Sequence, residues 1–450
     1  MGSSRFASYF GGVGQALSVR DYRIYWIGQL VSVQGTWMNR IAAGVLMYQI
    51  TQSSGWLGAV AFVYFVPLVL VGPIAGAYAD RIGHRRTAIG SLLVAVIIAF
   101  TMAGLTFYEL MNPYLLCALI AIQGLGHAFD FPARQVLIQI LVGRENMSAA
   151  IALNTTTFNG AAFTGPAICA AVLSYGETIM GDTAPALCFA IYGFGSVWFI
   201  ISLLRIRARD QARQVTGVAR LYQDVKEGFA YIRDHETIRT ILVYWVIASF
   251  LVRAYVDLLP GFAASVFDSG VEGLGILLAA SGAGALVLSV FMALRGRTEG
   301  LPHLLVASVV IDAVAILIFA TTPNFWVATS CMVIAGGFIV TAAISAQTLV
   351  QSTVALDYRG RVLAVYLSLV PSAQSIGSFI IGWVAEWTGL RWGVAAGAVG
   401  TLFASVVWGP SIWRRAHEIE AQAVGPIGPG GHAAAHAAPH GSETPSKPVA

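Results

Sequence analysis

Gly76-Ala-Tyr-Ala-Asp80-Arg81-Ile-Gly83-His84-Arg85-Arg86 is a compact charged stretch set between two long apolar runs, 54–78 and 87–108. Asp80, Arg81, Arg85 and Arg86 place four ionised side chains within seven residues. Each would cost about 2.5–3.5 kcal/mol at the centre of a hydrocarbon layer, so the chain must surface here. The stretch reads as a tight loop joining two membrane helices.

The rest of the chain agrees. Of 450 residues, 57% are apolar and 11% charged, against about 25% charged in a soluble domain. Further apolar runs, each long enough to span a membrane as a helix, lie at 24–50, 113–131, 147–175 and 184–204. The second half adds 238–266, 274–294, 304–320, 325–350, 362–385 and 392–413. Strands of a membrane barrel would alternate with period two over about ten residues, and these runs are continuous and longer. The fold class is an all-α membrane protein with twelve transmembrane helices.

Basic residues set the orientation. All but two of the 26 are arginine, and Arg81, Arg85, Arg86, Arg134, Arg144, Arg205, Arg207, Arg209, Arg295, Arg297, Arg359, Arg361, Arg414 and Arg415 fall in even-numbered loops or beyond the last run. Odd-numbered loops hold Arg391 alone, which predicts that both termini are cytoplasmic. This bias accounts for the net charge of +4 without a basic stripe or stacking module, so no nucleic-acid partner is expected; the partner surface is the lipid bilayer. Cys117, Cys169, Cys188 and Cys331 sit inside apolar runs without ligand-like spacing and read as small core residues, so no metal or cofactor is expected. No Walker loop, zinc-ligand helix or nucleophile elbow is present, and the chain does not read as an enzyme.

Sliding the sequence on itself by 212 positions aligns Gln135 with Gln347, Leu137 with Leu349, Gln139 with Gln351, Ala152 with Ala364 and Gly165 with Gly377. The chain therefore divides into two parallel six-helix repeats, 24–204 and 238–413. A cytoplasmic segment, 1–23, precedes them. The linker 205–237 carries Leu221, Val225, Phe229 and Ile232 at helical spacing opposite Asp224, Lys226, Glu227 and Arg233, and reads as an amphipathic helix on the inner surface, with a solvated linker as the alternative. The tail 414–450 turns to Pro, Gly, Ala and His; its composition favours disorder over a metal site at His432, His436 and His440.

The opening loop follows a pattern of Gly, three residues, Asp, a basic residue, one residue, Gly, then basic residues: Gly76, Asp80, Arg81, Gly83, Arg85 and Arg86, with His84 in a usually basic slot. With twelve spans in two repeats, this resembles the major facilitator superfamily. Asp21-Tyr22-Arg23, Gln29, Gly35-Thr-Trp37-Met38, Pro132-Ala-Arg134-Gln135, Arg144-Glu145 and Gly165-Pro166 are similar to the branch of enterobactin exporters and macrolide efflux proteins. The resemblance implies a secondary transporter in a bacterial cytoplasmic membrane, exporting a small amphiphilic molecule such as a drug or siderophore against an inward flow of protons. Importer, uniporter and non-transporting sensor are the alternatives. It further implies that Asp80 latches onto the start of span 11 near Arg361, that Arg81 or Arg85 reaches Asp130 on span 4, and that Gly165-Pro166 forms part of an antiporter motif lining the contact between halves; two glycines expected after the proline are Cys169 and Ala170 here. The corresponding loop of the second half, around Arg295 and Arg297, lacks the acid. Gly72 and Gly76, four apart, are expected to admit a close backbone neighbour.

Charges at membrane depth are functional candidates by default. Arg40 lies on span 1, Arg253 and Asp257 on span 7, and Asp312 on span 9. Four apart on a helix, Arg253 and Asp257 can neutralise one another, either as a permanent salt bridge or as a pair whose separation toggles a proton on Asp257. Arg40 reads as a site for an anionic substrate or as a counter-ion to Asp257. Asp312 reads as structural, through a hydrogen bond or a local ion pair, rather than functional, because span 9 packs outside the cavity in the superfamily. In the superfamily spans 1, 4, 7 and 10 line the cavity, which places Arg40, His127, Arg253 and Asp257 around it. Trp37, Tyr48, Phe62, Tyr64, Phe158, Tyr244, Trp245, Phe250, Tyr255 and Phe338 are candidate aromatic walls.

Overall fold

A computed structural model describes residues 11–143, 146–207, 218–295 and 299–424. Arg144, Glu145, Arg209, Arg297 and the three tail histidines lie outside the described residues, as do the side chains of Leu221, Asp224 and Val225. Among the described residues the chain is helical, and eleven helices are long and apolar enough to cross a membrane.

Spans 1 to 6 are Arg20–Thr51, Ser54–Ile82, His84–Phe107, Pro113–Val142, Met147–Met180 and Pro185–Arg205. Span 7 is broken into Glu236–Leu251, Tyr255–Gly261 and a π-turn, Phe262–Val266. Spans 8 to 12 are Gly270–Arg295, Leu301–Thr321, Phe325–Thr353, Leu356–Thr388 and Leu390–Arg414. Span 1 is the one that falls short of membrane-grade hydropathy. Its polar residues are spent on neighbours: Trp26 donates to Thr157 (2.8 Å), Gln29 to Asn154 (2.6 Å), Gln34 to Thr164 (2.6 Å) and Asn39 to Gln123 (2.9 Å). In a low-dielectric bundle such paired amides are stable where unpaired ones would be expensive.

Several boundaries differ from the sequence reading. Span 1 begins at Arg20, before residue 24, and is preceded by the short helix Gly11–Ser18. The start of the segment expected to be disordered forms a helix, Ala416–Val424, because it has specific partners: Glu420 accepts from the Gly300 N–H (2.8 Å) and Ile419 is buried. The linker helix Val218–Asp234 packs on spans 2 and 11, with Ile232 buried, Lys226 and Arg233 exposed, and Glu227 paired to Arg361 at 3.0 Å.

The cores reveal how the halves sit. At the arginine-rich end each half has its own: Tyr22, Leu92, Leu137 and Phe199 in the first, and Ile241, Leu305, Leu349 and Ile412 in the second. At the opposite end one core runs through both, joining Leu57, Ile98 and Phe189 to Tyr255, Phe262 and Leu390. The halves are fused at the far end and separate at the arginine-rich one. Gly72, Gly76 and Gly160 agree, since a Cβ on any of them would meet nothing within 4 Å. Gly72 and Gly76 thus admit no close neighbour here, contrary to their spacing.

Candidate functional site

A cavity of about 880 Å³ lies between the halves. Spans 1, 2, 4, 5, 7, 8, 10 and 11 contribute to it, twice the four spans the resemblance implied. Arg40, His127, Arg253 and Asp257 all line it, with Trp37, Tyr64, Phe158 and Tyr255 among the expected aromatics. Phe62 instead stacks on Phe379 of the other half, 4.9 Å between centroids, and Tyr244 is bonded to Ser405 (3.0 Å) behind the wall. Phe65 lines the cavity and was not anticipated. Leu274, Leu278, Ile339 and Val340 give the second half an apolar wall, so the site suits an amphiphile, with polar groups grouped on one side.

Arg40 and Asp257 form the centre of that polar side. The guanidinium meets the carboxylate at 2.5 Å, with side-chain exposures of 25% and 6%, and lies 5.7 Å from the Trp37 ring and 5.1 Å from the Phe65 ring. The other Asp257 oxygen accepts from Ser378 Oγ (2.8 Å) and Gln374 Nε2 (3.3 Å) of span 11. A buried ion pair is tolerated where its remaining lone pairs are satisfied, and this one has both requirements. It also joins the halves: Arg40 comes from the first, Asp257 from the second. Of the two roles open to Arg40, counter-ion is the one realised.

Arg253 does not pair with Asp257. The i,i+4 geometry requires a continuous helix, and span 7 breaks at residues 252–254, where Tyr255 and Val256 donate to carbonyls three residues back (3.4 and 3.2 Å). Arg253 instead lies over Trp245 at 5.7 Å, and its Nε has no hydrogen-bond partner among the described residues. Asp312 is 2% exposed; its Oδ1 has no partner among the described residues, so the structural hydrogen bond expected of it is not made by that atom. His127 stacks on Tyr64, centroids 5.5 Å apart.

At the loop, Asp80 pairs with His84 at 3.1 Å within its own turn. Arg361, near the start of span 11, is held by Glu227 rather than facing Asp80. Arg85 donates to the Leu204 carbonyl (2.9 Å), and Asp130 is taken by Arg134 at 2.6 Å, with Arg134 over Phe199. The expected reach of Arg81 or Arg85 to Asp130 is therefore replaced by an intrahelical pair, which the spacing 130/134 itself contains. Arg86 is exposed, and Gly83 adopts φ +102°, the backbone value that makes a glycine necessary at this corner.

Residues 15–426 match the sequence profile of the family described as transmembrane secretion effector, within the major facilitator superfamily. The chain belongs to that family of transporters. It is 21% identical to macrolide efflux protein A of Streptococcus pyogenes, over 83% of this chain and 92% of the relative. It is likewise 21% identical to the staphyloferrin A transporter of Staphylococcus aureus, over 79% and 87%. Among solved structures it is similar to a bacterial homologue of the human lysosomal transporter Spinster, with a TM-score of 0.71 at 14% identity, covering 88% of this chain and 97% of that one.

In the transporter, Gly165 of the antiporter-like motif packs within its own half. A Cβ there would come 2.6 Å from Cβ of Trp37 on span 1. Its repeat partner Gly377 does the same against Phe250 of span 7. The contact between halves is made one turn beyond Pro166, by Ala170 against Gly275 of span 8, so glycine is supplied by the facing helix where the motif lacks it. A group that sequence reasoning missed is Glu386, at the end of span 11. Its Oε1 accepts from Ser53 Oγ (2.7 Å) and from the Gly55 N–H (2.9 Å), closing the first turn of span 2 from the other half. The signal was an acid in an odd-numbered loop region that is otherwise sparse in charge.

Proposed function

We propose that this transporter is a proton-coupled exporter of small amphiphilic molecules, drug-like or siderophore-like, working by alternating access in a bacterial cytoplasmic membrane with both termini inside. On this reading the cavity, separate from the cell exterior at the fused end, is caught facing the cytoplasm. The observation that carries it is the Arg40–Asp257 pair, an ionic tie between the halves in the wall of the cavity. A proton arriving on Asp257 would cancel its attraction to Arg40, free Ser378 and Gln374, and loosen the ion pair that ties the halves in the cavity wall. Substrate entering from the cytoplasm would meet the aromatic and aliphatic walls and the released guanidinium. The relatives named for macrolide efflux and for staphyloferrin A transport favour the drug-like or siderophore-like class.

Asp80 belongs to the same cycle. With the cytoplasmic ends apart it rests on His84; when they close, it would reach the start of span 11, where the N-terminal end of a helix favours a carboxylate.

The test is efflux in inverted vesicles energised by a proton gradient, with ethidium and erythromycin as probes and a pH dye in the medium. Wild type should accumulate at least one probe and move protons on its addition, and Asp257→Asn should abolish both. Uptake without proton movement would make it a uniporter, accumulation in intact cells an importer, and indifference of flux to both Asp80→Ala and Asp257→Asn a non-transporting sensor.

A further inference from the structure

Among the described residues three acid side chains are buried at membrane depth, and they are not treated alike. Asp130 meets Arg134 at 2.6 Å and Asp257 meets Arg40 at 2.5 Å. Asp312, in the middle of span 9, is the most buried of the three at 2% exposure, yet its Oδ1 has no hydrogen-bond partner among the described residues. One turn earlier on the same face, Ser308 Oγ is fully buried and also without a partner. An ionised carboxylate in such a place would cost several kcal/mol, on the order of the penalty for any uncompensated buried ion.

The charge that acts on Asp312 is Arg253, through space rather than in contact. Arg253 occupies the break in span 7, where hydrogen bonds run to carbonyls three residues back, and its Nε is unpartnered among the described residues. It lines the cavity, as does Tyr255, which interacts electrostatically with both. The other elements packed on span 9 bring no opposing charge to its middle. Span 10 carries no charged residue, span 12 has only Arg391 and Arg414 at its two ends, and the helix Ala416–Val424 places His417, Glu418 and Glu420 at the arginine-rich end. His303, on span 9 itself, faces Trp413 two turns or more away.

We propose that Asp312 is a second proton-carrying site of this transporter, holding its proton while Arg253 stands off at the cavity wall and releasing it when Arg253 moves into contact. The inference rests on the proton-coupled reading above and deepens it. The step balances simply: the Asp312 O–H bond breaks, the proton leaves to cavity water past Tyr255, and the carboxylate left behind is neutralised by the guanidinium. A substrate that engages Arg253 from the cavity would hold it away from Asp312, so that substrate and proton loading are linked through one side chain.

The test needs no transported substrate. Dicyclohexylcarbodiimide, an apolar reagent that partitions into bilayers and modifies protonated carboxyl groups, is applied to the full chain in liposomes at low and high pH, and the adduct is located by mass spectrometry. An adduct on Asp312, absent in Asp312→Asn and falling as pH rises, is expected; in Arg253→Gln it should persist at high pH, because the neutralising partner is gone. Difference infrared spectra should show a carboxylic-acid band that titrates in wild type and is missing in Asp312→Asn. Absence of both adduct and band at low pH, or an adduct and band indifferent to pH, overturns the proposal. Should labelling behave as expected while vesicles show no proton-linked flux, the exporter reading fails and the proton site stands.

Discussion

On the proposed orientation and alternating-access cycle, Glu386 offers the sharpest test of how the exterior end is held shut. Its carboxylate accepts two hydrogen bonds from span 2, at 2.7 Å from Ser53 Oγ and 2.9 Å from the Gly55 N–H, and sits at the N-terminal end of a 29-residue helix. Hydrogen bonds to a charged acceptor contribute about 1.5–3 kcal/mol each when buried, and the helix end adds roughly 0.3–1 kcal/mol. Ser53 is half-buried and Glu386 is solvent-exposed, so the total must be discounted for screening to about 2 kcal/mol. These bonds exist only while spans 2 and 11 touch, so Glu386→Ala acts on the equilibrium between the two open states and not on the fold as a whole. A shift of that size is roughly 30-fold, enough to raise an outward-open population of about 1% to nearly a quarter. Spin labels on Tyr108→Cys and Trp326→Cys, exposed positions at the exterior ends of the two halves, would report it by pulsed dipolar spectroscopy. A second, longer distance should appear in Glu386→Ala, and in Glu386→Gln to a lesser extent, since glutamine still accepts a hydrogen bond but carries no charge. A distance distribution identical to wild type in both variants would refute the clasp.

Asp80→Asn should slow turnover in vesicles while leaving probe affinity within a few-fold, because Asp80 lies outside the cavity; wild-type kinetics would remove it from the cycle. Gly58→Val should disfavour closure of the exterior end, since a Cβ at Gly58 overlaps the Ser378 carbonyl, and the expected loss is about 1–3 kcal/mol of the inward-open state, read as exterior accessibility of the cavity to a thiol reagent at Val340→Cys, a wall position outside the ion pair. Arg40→Gln leaves Asp257 buried without its cation and should lower thermal stability by an amount on the order of 3–5 kcal/mol, recovered in Arg40→Gln/Asp257→Asn; equal melting of single and double variants would show that the pair is not coupled.

The fold was legible because it rests on patterns that every membrane helix must obey: run length, arginine bias and the repeat. The cavity charges were legible for the same reason, since any ionised group at depth stands out. What could not be read is which charges meet. Arg253 and Asp257 have helical spacing, but the break at residues 252–254 leaves no mark in the sequence beyond Pro260, which lies a turn and a half further on. Asp130 and Arg134 have the same spacing on an unbroken stretch, and do pair. The Arg40–Asp257 contact joins residues 217 positions apart, so only the packing of two halves decides it. Span 1 was read as apolar although its glutamines and asparagine make it the least hydrophobic span, because their partners lie over a hundred residues away on span 5 or some eighty away on span 4.

The repeat explains one more feature, and its failure explains another. Positions 170 and 382 are related by the 212-residue offset, and both make the contact between halves at the exterior end: Ala170 against Gly275, where span 5 meets span 8, and Gly382 against Gly55, where span 11 meets span 2. Close packing at the two seams therefore falls at one and the same repeat position. The charges do not follow the repeat in the same way. Glu386 corresponds to Ser174 in the first half, and the loop acid Asp80 has no counterpart beside Arg295. Glu386 thus acts on the seam between spans 2 and 11, where its carboxylate bonds to the start of span 2. Moving the acid across, with Ser174→Glu and Glu386→Ser together, should restore closure of the exterior end only if the N-terminal end of span 8 can accept the carboxylate as span 2 does, which makes the asymmetry itself open to experiment.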